Sequence, residues 1–490
     1  MFKSKLLWTG ALAGLGLVTA AAYAEPTQQE LMQKINDLQA QVTQLQSNQA
    51  TQQHQLDARD VDATVNSVLN DADSHSMLVD GGGVTAGWDK TKMGFFIASE
   101  DGSSLLHPGF VYQFRYDGAW TEGGKGVGTK TANGFENERV KVYADGNLFT
   151  KDLTFKIQYT TAKTASTATA ESTTGTSETI TTVKGGTFVL DDAYAQYVFA
   201  HAVVCDGDLG VKLGQFKDPV SKEQTMPDQG SLCVERSLMD DLIGGGLIGP
   251  RVQGAGLVLV GNGPLHAQLF FDDGADSVNT DFQQPTFTTV IVPGFTEVVN
   301  WGASARVDYK VTGDWSDANR FTAKGDKQDL LVVGFGANAT DMTKAMVFIY
   351  SADVQFNTMD GKLSLYAAGF GNDINLRGVG APGNVQNFGL MLQAGYLLTD
   401  SLELFARWDV TYLDAEIKSL NNNQNYYNEI CTGVNYYLGE NGSWGNHAKV
   451  SLDLSYLPEG TPASFADGDI LKQTNDKAEF IARLQFQLWI

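Results

Sequence analysis

Charged side chains at every second position are the chemistry this sequence offers. Phe110, Tyr112, Phe114 and Tyr116 alternate with Val111, Gln113, Arg115 and Asp117. Leu402, Leu404, Ala406, Trp408 and Val410 alternate in the same way with Glu403, Phe405, Arg407, Asp409 and Thr411. Side chains on a strand point to opposite faces in turn, so one face is apolar and aromatic and the other carries ions. Extending the alternation puts Arg115, Arg139, Lys141, Lys156, Lys212, Arg306, Lys310, Arg407 and Arg483 on the polar face. Asp117, Asp192, Asp308, Asp353, Glu403, Asp409 and Asp453 fall among them. A face of mixed, slightly cationic sign suits lining water and sorting solutes by charge. Bond-breaking chemistry is not indicated. His54, His75, His107, His201, His266 and His447 are scattered without metal-ligand spacing, and no nucleophile, zinc or phosphate-loop motif occurs. The expectation is no enzyme, no cofactor and no metal.

The second chemical feature is a loop. Leu209–Lys217 reads as a strand that Pro219 ends, and the next clear strand begins at Val252. A connection of roughly thirty residues between strands is either disordered or functional. This one holds Lys222, Glu223, Asp228, Glu235, Arg236, Asp240 and Asp241. Residues 218–251 are expected to fold inward and narrow a bore. Lys212, Lys217, Lys222 and Arg236 would then stand at the constriction, opposed by Glu223 and Glu235 in a transverse field.

The elements that position these residues are strands throughout. No segment after the N-terminus has the ~20 continuous apolar residues of a spanning helix. In a soluble sandwich the apolar face would be the core; in an outer-membrane barrel it meets lipid and the polar face lines water. The barrel is favoured by aromatics at strand ends and by a final segment, Phe480 to Ile490, that alternates to the last residue. It is also favoured by short turns alternating with long polar loops. About sixteen antiparallel strands are expected, with fourteen or eighteen left open. They start near residues 109, 137, 152, 187, 208, 252, 264, 298, 328, 344, 361, 386, 402, 426, 447 and 477. The rhythm slips where 313–327 is long and 341–343 short. Met93–His107 either pairs as an extra strand or only leads into the barrel. The Thr/Ala/Ser-rich stretch 160–182 reads as a surface loop.

Residues 1–24 read as a cleaved secretory signal, with Lys3 and Lys5, an apolar core over Leu6–Val18, and Ala22-Tyr23-Ala24 before the cut. An uncleaved anchor helix is the alternative. In residues 25–56, Leu31, Ile35, Leu38, Val42 and Leu45 follow a heptad seam, which predicts a coiled-coil helix that needs identical neighbours. A helix lying on another surface is the alternative there. Residues 57–92 are read as a linker and 93–490 as the barrel. The formal charge of −23 argues against nucleic acid and anionic phospholipid as partners. Cys205 and Cys233 either form a bridge or stand apart with Cys431.

Leu213-Gly214-Gln215-Phe216-Lys217-Asp218-Pro219, then Glu223 and Val234-Glu235-Arg236-Ser237-Leu238, resemble the phosphate-selective porin O and P family. The likeness extends to Phe95–Tyr116 and, in layout, to residues 25–490. It implies a sixteen-stranded outer-membrane barrel assembled as a homotrimer, with an inward loop constricting each channel for small hydrophilic solutes or anions. Family members described as phosphate-specific carry an arginine ladder and constriction lysines. Here the inward arginines are few and interleaved with aspartates, so mild or no anion preference is expected and a phosphate trap is not. A second reading is a structural envelope protein that tethers the outer membrane to the cell wall through the coiled-coil stalk.

Overall fold

The computed structural model describes residues 33, 37 and 39–44, and the chain from 83 onward. Within the latter, residues 91, 122–129, 162–168, 172–176, 180–187, 246, 248, 250, 276, 278–285, 289–294, 359–360, 378–382, 422 and 461–476 are excepted. The secretory signal, most of the heptad seam and linker, and most of the stretch 160–182 lie outside the described residues. Residues up to Asp80 form one unit and Gly81–Ile490 another. In the first, the described residues between 33 and 44 are helical and exposed.

In the second unit, a hairpin of β1 (Val84–Asp89) and β2 (Gly94–Ser99) precedes sixteen barrel strands. These are β3 (Leu105–Thr121), β4 (Lys130–Asn147), β5 (Leu153–Thr161), β6 (Phe188–Val204), β7 (Gly207–Lys217), β8 (Arg251–Val260), β9 (Leu265–Asp272) and β10 (Thr296–Thr312). The remainder are β11 (Leu330–Met342), β12 (Ala345–Asn357), β13 (Leu363–Leu376), β14 (Asn384–Leu397), β15 (Leu402–Tyr412), β16 (Tyr426–Tyr437), β17 (Ala448–Leu457) and β18 (Glu479–Trp489). Each pairs antiparallel with the next. β18 returns to β3 with Arg483 opposite Asp117 and Gln485 opposite Arg115, which closes the sheet and leaves no edge. Val84–Asp89 is a strand where a linker was expected, and β2 pairs with β3 through Ile97 opposite Leu106 and Ala98 opposite Leu105.

The burial pattern is that of a soluble protein turned inside out. Outward Phe135, Phe271 and Phe335 are 72%, 66% and 59% exposed, whereas inward Arg115 and Arg483 are each 1% exposed. Such an apolar exterior is stable only against lipid. Tight turns join strands at the end that carries the C-terminus, here the lower end. Between β6 and β7 the turn is two residues, Cys205 and Asp206, with φ of 49° and 58°, the left-handed pair whose twist suits a hairpin. Up-and-down alternation is strict. The slip in rhythm reflects a long lower connection, 313–329, that folds into the bore, and a short upper one at 343–344.

The bore has its own apolar core. Loop residues Val220, Leu232, Leu238, Met239, Leu242 and Ile243 pack against Val347, Ile349, Tyr366, Ala368, Phe370, Met391 and Phe405 on the inner wall. Leu238, Met239, Leu242 and Ile243 are fully buried. Each such side chain stabilises the docked loop by roughly 1.5–3 kcal/mol at most. Gly336 permits this approach, since a Cβ there would lie 2.8 Å from the Val220 carbonyl carbon. Ser351 Oγ also donates to the Val220 carbonyl oxygen at 2.6 Å. Replacing Gly336 by Val is expected to lift the loop at Val220, at an overpacking cost of about 1–3 kcal/mol. Single-channel conductance in a planar bilayer should rise while the barrel still migrates as a folded species in unheated detergent gels. Unchanged conductance would mean that the loop does not narrow the bore.

Candidate functional site: the narrowed bore

The loop is built from two capped helical turns tied to each other. Ser221 caps Lys222–Thr225, its hydroxyl oxygen accepting from Gln224 N–H. Ser237 caps Leu238–Ile243 and accepts from Asp240 N–H at 3.1 Å. Glu223 joins the two by accepting from Ser237 N–H at 2.9 Å and from its hydroxyl at 2.7 Å. Asp240 accepts from Ser221 Oγ and Gln224 Nε2, both at 2.6 Å.

The wall then holds the loop by its backbone. Asp453, Glu429 and Asp409, on β17, β16 and β15, accept from the N–H groups of Val234, Leu238 and Met239 at 3.0, 3.1 and 3.1 Å. Two of these donors open a helical turn, where anions are favoured. Arg407 donates to the carbonyl oxygens of Glu235 at 2.8 Å and Arg236 at 3.0 Å, and to Glu429 at 3.0 Å. Glu235 is itself gripped by Arg115 and, at 3.1 Å, by Arg139. Arg115 also meets Glu136, Glu138 at 2.8 Å and Asp117 at 2.6 Å, and Arg483 meets Asp453 at 3.0 Å.

These placements divide the residues that the sequence assigned to the bore. Arg115, Arg407, Arg483, Glu223 and Glu235 point inward but lie buried between loop and wall. The transverse field expected from Glu223 and Glu235 against the lysines is therefore not formed, because both carboxylates turn to the wall side. Arg236 pairs with Asp228 at 2.6 Å. Arg306 is paired with Asp308 and Asp353 at 2.7 and 2.8 Å.

The open side of the bore is a cavity of about 460 Å³ between the loop and the wall formed by β4 to β7, β9 and β10. Lys141, Lys156, Lys212, Lys217, Lys222 and Arg306 line it, with Asp145, Asp192, Asp228 and Asp308. Lys141 pairs with Asp228 at 2.5 Å and Lys156 with Asp192 at 2.6 Å. Lys212, Lys217 and Lys222 have no carboxylate within ion-pair distance among the described residues. Lys212 Nζ lies over the Tyr194 and Phe216 rings at 4.1 and 4.6 Å, and Lys217 donates to the Met226 carbonyl oxygen at 2.7 Å. The ring faces offer partial negative charge but add no formal one.

Sequence reasoning missed the lower support. In 313–329, Phe321 N–H donates to the Gly230 carbonyl oxygen at 2.9 Å, joining this connection to the loop. Thr322 Oγ1 donates to Glu403 at 2.6 Å, and Arg320 binds Asp317 at 2.6 Å and Asp326 at 2.5 Å. The only signal was its length at an end of otherwise short turns. Cys205 and Cys233 do not bridge: Cys205 is exposed in the lower turn, whereas Cys233 is buried in the loop core, and all three cysteines are free.

An inward loop fastened within a sixteen-stranded barrel is the arrangement the motif residues implied. The family description phosphate-selective porin O and P matches residues 112–453, which is more than half of the chain. The chain belongs to this family. It is an outer-membrane porin, through which small hydrophilic solutes diffuse passively, and not an enzyme. No curated protein matches it. Among solved structures it is similar to the anion-selective porin from Comamonas acidovorans, with 10% identity, TM-score 0.46, and 79% of this chain and 100% of that one covered. It is also similar to outer-membrane expressed OmpT of Vibrio cholerae, with 11% identity, TM-score 0.45, and 79% and 98% covered. Salmonella typhi OmpF in complex with daunomycin shares 12% identity, TM-score 0.45, over 79% and 98%. The porin's motif now has a physical content. Lys217 ends β7 and Asp218 follows it, Glu223 binds the Ser237 cap, Glu235 binds the wall arginines, and Arg236 returns to Asp228.

The loop carboxyls fall into two groups. Burial pushes Glu223 up to about 7, helped by the Asp240 charge, with Arg407 opposing. Burial likewise raises Asp240, and it holds Asp218 well above the usual carboxylate range. Burial acts on Asp228 in the same sense, but Lys141, Arg236, Lys217 and Arg139 outweigh it and hold that carboxyl well below the usual range. A raised carboxyl binds its proton more tightly in the docked loop than in an undocked one. Its contribution is thus fully present at low pH and is lost as pH rises, for Glu223 between its ordinary 4.5 and about 7. Asp228 stays ionised across that window. Open-channel current noise should therefore increase from pH 5.5 to pH 8 as docking weakens, and Glu223→Gln should flatten the change. Noise that falls with rising pH would contradict this assignment.

Proposed function

We propose that this porin has a mild preference for anions, set by Lys212, Lys217 and Lys222. The observation that carries the reading is that these three ammonium groups face the open cavity without carboxylate partners among the described residues, while Glu223 and Glu235 are turned away. A hydrated anion crossing the constriction exchanges water for lysine donors, whereas a cation meets positive charge that no carboxylate pairs directly. Selectivity follows the charges at the narrowest section rather than the total of −23. The preference is mild because Lys141, Lys156 and Arg306 are neutralised by neighbouring aspartates. The motif residues Lys217 and Glu223 support placing the constriction here. Under a potassium chloride gradient the reversal potential should show modest anion selectivity. Replacing Lys212, Lys217 and Lys222 together by Gln should abolish or invert it. Strong cation selectivity of the unmodified porin would overturn the reading.

The working unit is proposed to be a homotrimer held partly by the N-terminal helix, after export with a cleaved signal. Val42, the one seam residue among those described, is 51% exposed on its helix, and a narrow apolar stripe of that kind requires a partner. Deleting residues 25–80 should lower the trimer fraction in detergent by cross-linking while stepwise conductance persists. Trimers that survive deletion while the envelope detaches from the cell wall would favour a tether instead.

A further inference from the structure

Two of the three cysteines meet inside the bore. Cys233 on the loop and Cys431 on β16 are both buried and free. Their sulfurs and a carboxylate oxygen of Asp453 all lie within 4.8 Å of one another. The Cys431 thiol donates to Asp453 Oδ2 at 3.2 Å, Cys233 lies 3.8 Å from Gln393 Oε1, and the two thiols also lie within hydrogen-bonding reach of each other. By ligand type the trio could hold a soft metal ion. The electrostatics oppose that, because Asp453 is already bound by Arg483 and by Val234 N–H, and Arg407 stands beside both sulfurs. A divalent cation would enter a pocket flanked by two guanidinium groups. A neutral covalent link suits the same space.

We infer that Cys233 and Cys431 form a disulfide during maturation, stapling the inward loop to the barrel wall. An outer-membrane protein folds in an oxidising compartment, where such links persist. Because both thiols are buried once the loop is docked, oxidation precedes full docking. One cysteine thiolate attacks the disulfide of a periplasmic dithiol oxidase to give a mixed disulfide. The second thiolate then displaces the oxidase as a dithiol. The porin thiols give up two protons and two electrons, one sulfur–sulfur bond forms, and the oxidase disulfide is reduced. Bringing the sulfurs to the roughly 2 Å bond distance requires their side chains to turn toward each other. Only weak thiol hydrogen bonds are lost, and Asp453 keeps Val234 N–H and Arg483. The staple fixes the loop beside the wall carboxylates that receive its backbone, and leaves the cavity-facing lysines untouched.

The test uses the full-length porin recovered from the outer membrane. Denatured without reductant and alkylated, it should take up one label, at Cys205, and three after reduction. Unreduced digests should contain the Cys233–Cys431 cross-linked peptide. Cys205→Ser should leave the cross-link intact, while Cys233→Ser should expose Cys431 to labelling. Reductant should raise open-channel noise in the unmodified porin and not in Cys233→Ser. Three labels without reduction would overturn the inference, as would thiol protection released by a chelator instead of a reductant. Noise that reductant does not change would overturn the stapling role.

Discussion

A loop placed inside a barrel must find partners for its backbone on the side that water does not reach, and this requirement arranges much of the rest of the bore. Unpaired buried N–H and C=O groups cost about as much as a lost hydrogen bond each, or more. Here Asp409, Glu429 and Asp453 on successive strands accept from the loop, and Arg407 donates to two of its carbonyls. Ions so placed are costly unless they are paired. The arginines and carboxylates of this arc accordingly neutralise one another as well as the loop.

The wall charges therefore do two separate jobs on two arcs. Those near β15 to β18 and at the start of the barrel are consumed in attachment. Those on β5 and β7, with Lys222 of the loop, stay beside the open space. This separation also sets a strongly acidic chain beside a cavity where Lys212, Lys217 and Lys222 have no carboxylate at ion-pair distance among the described residues. The acid that touches the bore is largely spent on backbone donors and on arginines.

Much of the architecture was legible in the chain, because period-two alternation is a local property. Most strands begin within two residues of where the pattern sets in, and β3 and β4 begin earlier because their lower and upper ends carry less regular residues. Alternation also separates the two faces of each strand, and Arg115, Arg306 and Arg407, read as inward, are buried in ion pairs with loop or wall carboxylates. It cannot say which arc the loop will cover. Whether an inward arginine meets solute or a loop carbonyl depends on contacts between residues far apart in sequence, such as Arg407 with Glu235. The same limit hid the meeting of Cys233 with Cys431 and the inward course of 313–329. The Val84–Asp89 strand was obscured by the glycines and polar residues around it.

Chain order adds a temporal side to the docking. Arg115, Arg139 and Lys141 precede the loop, but most of its anchors, at Ser351, Arg407, Asp409, Glu429 and Asp453, lie on strands synthesised after it. Until β12 to β17 are laid down there is no inner surface to cover Leu238, Met239, Leu242 and Ile243. Pairings of such long sequence separation form late and slowly, and leave sticky intermediates on the way. A barrel stalled before its last strands consequently displays a greasy, protease-sensitive tongue that the finished one conceals. Sequestration of that tongue therefore goes with closure of the barrel by its last strands.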